Sequence, residues 1–432
     1  MVVTPPPEAI AGTQAQFEVS ADTGTVDGFF RFPYPSDLRL KDGVPDVRGW
    51  PNPSKLALLE GLRTIAAERK GYPVLAAGYF WFNAALAPRA DDQVMAADRA
   101  SPVLLIDIDP ASPELGRLVP TVATVLPVDD YVPENLLAVA PRPGFILKPN
   151  RRYAFVVQRT LNDASGSPLG VPGSLEALKA GLTPEGARGA ELATLYQPLW
   201  PALAKAGVDK ASVAAATVFT TGDVVDDLFK LSEQVRSQHK VQITDLHVEA
   251  AGGADHERFC QVRGTVTYPQ FQRGTPPFNK DGTFDSATGV PTKQRDEAAP
   301  ITLTLPKGGV MPAGGYPLAM YFHGSGGLST ASVDRGTWRP TDDPSQCPPW
   351  PDTLKCPAKQ GDPESLLDEY EGKKGCNTAG EGPAYELAPR GIAMASSALP
   401  LNPERLACAA ETAYLNFNNL AVFRDTFRQG VL

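Results

Sequence analysis

Apolar positions between residues 16 and 160 come in short runs separated by turn residues. Val103-Leu104-Leu105-Ile106-Asp107-Ile108 is one run, bounded by prolines. Tyr153-Ala154-Phe155-Val156-Val157 is another, followed by the turn chemistry of Asn162-Asp163-Ala164-Ser165-Gly166. Short strands at this spacing predict a β-sandwich. A helical insertion interrupts them from Pro53 to Glu68, where Leu56, Leu59 and Leu62/Arg63 recur near a period of 3.6. Over about 174–206 the period turns helical again. Leu175, Leu178 and Leu182, then Leu192, Leu195 and Leu199, predict two helices. Ala214 to Phe219 reads as one more strand, ending in Thr220-Thr221-Gly222-Asp223. A linker helix over 224–240 then closes the first domain, 16–223.

Beyond residue 240 the pattern changes. Val241-Gln242-Ile243 and Cys260 to Tyr268 predict antiparallel strands, 269–300 a polar loop, and Ile301 to Leu305 a further strand. Tyr316 to Phe322 predicts a buried strand that enters His323-Gly324-Ser325-Gly326-Gly327. An excursion over 328–385 follows, rich in proline, glycine and aspartate. Gly391 to Ala395 is a strand after Leu387-Ala388-Pro389-Arg390. Leu420, Phe423, Phe427 and Val431 then place an apolar stripe on a final helix.

Composition narrows the function classes. A chain of 432 residues suits two or three domains. The formal net charge is −9 and no Lys/Arg cluster is present, which argues against nucleic acid as a partner. No apolar run reaches the roughly 18–20 residues of a membrane span. The opening Met1-Val2-Val3-Thr4-Pro5-Pro6-Pro7 has no signal-peptide pattern and reads as a mature N-terminus with an added methionine. Residues 1–15 are expected to be a tether. Of the five cysteines, Cys347, Cys356, Cys376 and Cys408 are expected to form two disulfides in an oxidising compartment, with Cys260 left over. The absence of a CxxC pair argues against zinc. Asn279-Lys280-Asp281-Gly282 with Asp285 lacks the register of a calcium loop and reads as a solvated turn. No G-x-G-x-x-G or Walker sequence follows a strand, so neither cofactor nor metal is expected.

The segment that carries chemistry is His323-Gly324-Ser325-Gly326-Gly327. Acyl transfer places negative charge on a carbonyl oxygen, and backbone N–H donors aimed at that charge are each worth roughly 3–4 kcal/mol of barrier. Glycines bring such donors close without a Cβ in the way. In α/β-hydrolases one donor comes from the loop after the third strand. The N–H groups of Gly324 and Ser325 are the best candidates. Ser325 is not expected to be the nucleophile, because the elbow needs G-x-S-x-G and position 323 is His. Ser396 and Ser397 lack elbow glycines and read as strand-end packing. His239, His247 and His256 come too early for a triad base, and His323 is expected to shape the loop. The nucleophile, acid and base are therefore expected beyond Leu432, which makes residues 241–432 an incomplete α/β-hydrolase domain.

The chain resembles the bacterial virulence-factor lipases and related secreted or surface esterases. The resemblance rests on Phe32-Pro33-Tyr34-Pro35-Ser36-Asp37-Leu38, on Leu147-Lys148-Pro149-Asn150-Arg151-Arg152-Tyr153-Ala154 and on Val218-Phe219-Thr220-Thr221-Gly222-Asp223. It continues at Tyr321 to Gly327 and in the final helix, at Phe423-Arg424-Asp425 and Arg428-Gln429-Gly430. It implies an immunoglobulin-like sandwich joined to an α/β-hydrolase. It also implies hydrolysis of carboxylic esters of lipids or polyesters, with the oxyanion loop at His323 to Gly327 and the C-terminal remainder of the hydrolase domain as partner. The excursion has no counterpart in the resemblance and reads as a lid or substrate wall. The competing expectation is a non-catalytic surface module with a degenerate hydrolase-like half. A peptidase-like hydrolase would share the fold.

Overall fold

A computed structural model describes residues 7–90, 93–249, 256–285, 290–324, 327–334, 338–347, 367–377, 382–407, 409–410, 412–417 and 419–432. The chain is mixed α+β, with several sheets and few helices. It divides into two compact units between Asp227 and Leu228.

The first unit contains eight strands that build two antiparallel sheets. They are β1 (Gly78–Trp81), β2 (Val94–Met95), β3 (Val103–Asp107), β4 (Leu118–Val119), β5 (Thr121–Val125), β6 (Leu136–Pro141), β7 (Arg152–Gln158) and β8 (Val213–Thr220). The sheet orders are β8-β7-β3-β4 and β1-β6-β5-β2. Phe80, Leu137 and Val139 of the second sheet share one core with Leu105, Phe155, Val157 and Phe219 of the first. The rings of Phe155 and Phe219 stack at 5.2 Å. The other face of the first sheet carries Leu104, Ile106, Ala154, Val156 and Val218. It is covered by Leu175, Leu178, Leu192, Tyr196, Leu199 and Leu203. These come from α2 (Gly173–Lys179), α3 (Gly189–Tyr196) and α4 (Leu199–Lys205); α1 (Ala57–Ala66) lies earlier in the chain.

Double coverage explains the unbroken apolar runs. An antiparallel strand with one wet face alternates, whereas one buried on both faces does not. Each fully buried aliphatic or aromatic side chain contributes about 1.5–3 kcal/mol. Two polar anchors fix the helical layer. Tyr196 Oη donates to Ala216 O at 2.7 Å, and burial raises its phenol pKa. Lys179 Nζ donates to Val213 O at 2.6 Å and to Glu176 Oε1 at 2.7 Å, while desolvation lowers its pKa.

Three expectations change here. The expected pair of helices over 174–206 is three short ones. Gly181, at φ 75°, stops α2 and leaves Leu182 outside it. Pro198 lacks the N–H that would carry α3 into α4. The insertion at Pro53 to Glu68 is helical as α1, but its leucine stripe is half exposed. Residues 10–15 of the expected tether belong to the unit: Ile10 exchanges hydrogen bonds with Val171 at 2.9 and 2.8 Å, and Ala15 bridges Phe82.

Helix α5 (Val225–Gln238) spans the division, and the second unit is a mixed sheet. Its strands are β9 (Gln242–Val248), β10 (Phe259–Gln270), β11 (Arg295–Pro306) and β12 (Leu318–Tyr321). They are followed by the excursion strands β13 (Trp338–Pro340), β14 (Asp368–Tyr370) and β15 (Lys373–Asn377), and then by β16 (Ala393–Ser397). The main order is β9-β10-β11-β16-β12. All neighbours are antiparallel except β12 and β16, which run parallel.

The polar loop expected over 269–300 is shorter than that. The β10–β11 ladder continues to Gln270↔Arg295, and the charged Arg295-Asp296-Glu297 hid the strand. The buried strand expected at Tyr316 to Phe322 is buried on one face only. Ala319 and Tyr321 of β12 pack with Phe259 and Met394, whereas Leu318 is 59% and Met320 67% exposed. β12 lies at the edge of the main sheet.

Within the excursion, β13-β15-β14 form a small sheet beside the disulfide Cys347–Cys376. Cys356 and Cys408 lie outside the described residues, and Cys260 on β10 is a free thiol. Short helices α6 (Ala331–Asp334) and α7 (Pro383–Leu387) flank the excursion. The final helix α8 (Leu420–Val431) is fixed by buried polar side chains. Gln429 Nε2 donates to Pro269 O at 3.0 Å, and its Oε1 accepts from Phe271 N at 2.8 Å. Thr426 Oγ1 accepts from Gln272 Nε2 at 3.0 Å, and Asp425 Oδ2 accepts from Phe284 N at 2.9 Å. The chain leaving β10 thus satisfies its backbone groups against α8.

Candidate functional site

Because β12 and β16 run parallel, the loops that follow them leave the same end of the sheet. That end, outside the carboxyl termini of parallel strands, is where open α/β sheets bind ligands. The first loop carries Phe322, His323, Gly324 and Gly327; Ser325 and Gly326 lie outside the described residues. The second is Leu399-Pro400-Leu401-Asn402-Pro403-Glu404.

His323 is buried between the two loops. Its Nε2 accepts the N–H of Leu399 at 3.1 Å, and its Nδ1 stands 3.0 Å from Gly324 O. An Nε2 that accepts carries no proton, so Nδ1 bears it and donates to the carbonyl. The ring is neutral, and both nitrogens hold the loop in shape. A general base needs a free lone pair aimed at substrate, whereas both His323 nitrogens face backbone groups of the two loops.

The two described glycines of the motif serve different ends. A Cβ on Gly327 would fall 2.6 Å from His323 Cβ, so only glycine lets the loop fold over the imidazole. A Cβ on Gly324 would meet nothing within 4 Å, and Gly324 is exposed. Among the described residues, neither backbone conformation nor packing demands a glycine there. What the missing side chain provides is open space beside the Gly324 backbone.

A hydrogen-bonded clamp joins the loops. Asn402 Nδ2 donates to Gly327 O at 2.5 Å. The Glu404 carboxylate accepts Ser329 N–H at 2.6 Å and Ser329 Oγ–H at 2.9 Å. Glu404 N–H in turn donates to Asn402 Oδ1 at 2.9 Å. Charge-assisted bonds of this kind are about twice as strong as neutral ones. Arg405 sits 3.0 Å from Glu297 of β11 and anchors the second loop to the sheet. Asn402, Glu404 and Ser329 went unrecognised in the sequence. The proline-bracketed apolar stretch from Leu399 to Pro403 is the one local signal that could have marked their loop.

An apolar groove of about 540 Å³ opens between these loops and α8. Phe322, His323 and Gly324 line it together with Leu399 to Pro403, Tyr414, Thr426, Phe427, Gly430 and Val431.

Most of the remaining candidates are engaged elsewhere. Ser397 Oγ donates to Pro300 O at 2.9 Å, while Ser396 is buried within β16, its hydroxyl without a hydrogen-bond partner among the described residues. His239 meets Phe271 edge-on at 5.6 Å, and His256 stacks on Phe259 at 3.7 Å. His247 is exposed on β9, its Nδ1 2.7 Å from Asp245 O. Asp281 lies 3.1 Å from Arg273 and accepts Gly282 N–H at 2.8 Å. Among the described residues, no cluster of three or more His, Cys, Asp or Glu could hold a metal ion. Among them, too, no helix is long and apolar enough to cross a membrane.

No protein-family model, curated protein or solved structure matches the chain.

Proposed function

We propose that residues 241–432 are the first part of a serine ester hydrolase domain of the α/β-hydrolase kind, joined to an immunoglobulin-like sandwich formed by residues 16–223. The observation that carries this reading is the parallel β12–β16 pair, whose glycine-rich loop is clamped at the carboxyl end of the sheet. In such an enzyme the loop presents backbone N–H groups to the carbonyl oxygen as it becomes an oxyanion. The open space over Gly324 leaves room for a substrate carbonyl. His323 and the Asn402–Glu404 clamp hold the donor still, so little reorganisation is needed when charge develops. The nucleophile, acid and base are assigned to polypeptide outside residues 1–432, because no segment within them reads G-x-S-x-G. The Cys347–Cys376 disulfide supports an oxidising compartment, and with it secretion or surface display. The test is turnover of short p-nitrophenyl esters by the polypeptide of the whole reading frame. Turnover abolished by a fluorophosphonate supports the reading, and no turnover of any ester refutes it.

A further inference from the structure

We infer that helix α1 of the first unit docks on an anionic membrane surface, lying along it without crossing it. The docking uses no catalytic group and is independent of the hydrolase reading.

The helices of the first unit place their leucines differently. α2, α3 and α4 bury Leu175, Leu178, Leu192, Leu199 and Leu203 against the sheet, whereas α1 buries no residue. Polar bonds hold α1 to the body instead. Asn52 Oδ1 accepts Leu56 N–H at 2.9 Å, Asn52 Nδ2 donates to Glu60 Oε1 at 2.6 Å, and Arg63 donates to Trp50 O. Leu59, Arg63 and Ala66, at i, i+4 and i+7, form a half-buried ridge. The ridge beside it is Leu58, Leu62 and Ile65, and its two leucines are 47% and 49% exposed. These leucines recur at helical spacing yet face no core of their own, so their apolar partner lies outside the unit.

Charge selects that partner. Lys55 precedes the helix, Arg69 and Lys70 follow it, and all three are exposed. Between Pro53 and Leu75 four cations stand against two anions, in a chain of net charge −9. The two acids, Glu60 and Glu68, lie with Thr64 on a separate face at i, i+4 and i+8. Glu60 is already bonded to Arg63 at 2.9 Å. An apolar ridge with cations at both ends and acids turned aside suits the boundary of a bilayer. The leucines enter the acyl region while the cations meet headgroup phosphates.

The test uses the 432-residue chain and large unilamellar vesicles, with bound protein separated by sedimentation. The chain should bind vesicles of equal parts phosphatidylcholine and phosphatidylglycerol, bind phosphatidylcholine alone far less, and be released by added salt. Lys55→Gln and Lys70→Gln should each weaken binding about fivefold. Leu58→Ser and Leu62→Ser, at half-exposed positions, should each weaken it about 4- to 12-fold. Circular dichroism and melting temperature should hold in all four variants. No binding, equal binding to both kinds of vesicle, or binding that the four variants leave intact overturns the inference. So does self-association by analytical ultracentrifugation that Leu58→Ser and Leu62→Ser abolish, because the ridge would then serve a second copy of the chain.

Discussion

The two described glycines of the loop make opposite predictions for one chemical change. In Gly327→Ala the new Cβ meets His323 Cβ at 2.6 Å and Nδ1 at 3.0 Å. Both clashing groups are fixed: His323 is buried and bonded at both ring nitrogens. The loop must move, at a cost of about 1–3 kcal/mol for an overpacked buried site. In Gly324→Ala nothing lies within 4 Å and the backbone is not left-handed, so stability should hold or rise slightly through a less flexible unfolded chain. Hydrogen-exchange mass spectrometry on peptides covering 318–334 and 393–406 reads both variants locally. Gly327→Ala should speed exchange there about 5- to 150-fold, and Gly324→Ala should leave it unchanged. On the proposed hydrolase reading, Gly324→Ala should instead lower the kcat of the whole-frame polypeptide, because a methyl group then occupies the space assigned to the substrate carbonyl. Equal protection in wild type and Gly327→Ala, or equal losses in both variants, would refute the assignment of the two glycines.

Other predictions follow from buried polar groups. Asp425→Ala removes the acceptor of Phe284 N–H and the partner of Arg424 and Arg428; urea unfolding should report a loss of about 3–5 kcal/mol in the second unit. Replacing Cys347 and Cys376 together by serine opens a loop of sequence separation 29, which should cost about 3.5 kcal/mol, read as a lower melting temperature matched by reduced wild type. Burial raises the pKa of Asp37, which accepts from Thr220 N at 2.8 Å and Thr220 Oγ1 at 2.6 Å. A raised folded pKa means that the native state holds its proton longer than the unfolded chain does. This stabilising contribution is complete below the ordinary carboxylate pKa and is lost as pH rises through the folded value. Urea midpoints of wild type minus Asp37→Asn should therefore fall as pH climbs across the acid range, and a rising difference would contradict the burial account.

Where burial dictated the residue pattern, the fold was legible in the sequence. The runs at Val103 to Ile108 and Tyr153 to Val157 are unbroken because sheet and helices cover both their faces. Their strands were therefore plain, although the helices predicted over 174–206 carried no sign that they would form the covering layer. Strand β11 was cut short because its first residues, Arg295 to Glu297, satisfy a ladder with backbone groups while their side chains remain polar. The candidate loop could be found because a glycine cluster after an apolar strand is a local signal. Its clamp could not, since Ser329 and Glu404 are 75 residues apart and meet only through the parallel pairing of β12 and β16. While Phe427 and Val431 of the apolar stripe of α8 are exposed, Asp425, Thr426 and Gln429 stand with Val422 on its buried face, for the same kind of reason. Their partners are backbone and side-chain groups of 269–284, brought close by tertiary structure alone.

The central claim is that the loop at His323 to Gly327 serves a serine that lies elsewhere. The direct measurement is fluorophosphonate labelling of the whole-frame polypeptide, followed by peptide mapping of the modified residue. The account predicts a single labelled serine, outside residues 1–432 and within G-x-S-x-G, with labelling slowed by Gly324→Ala. A label on Ser325, or none on a polypeptide that still hydrolyses esters, would contradict it.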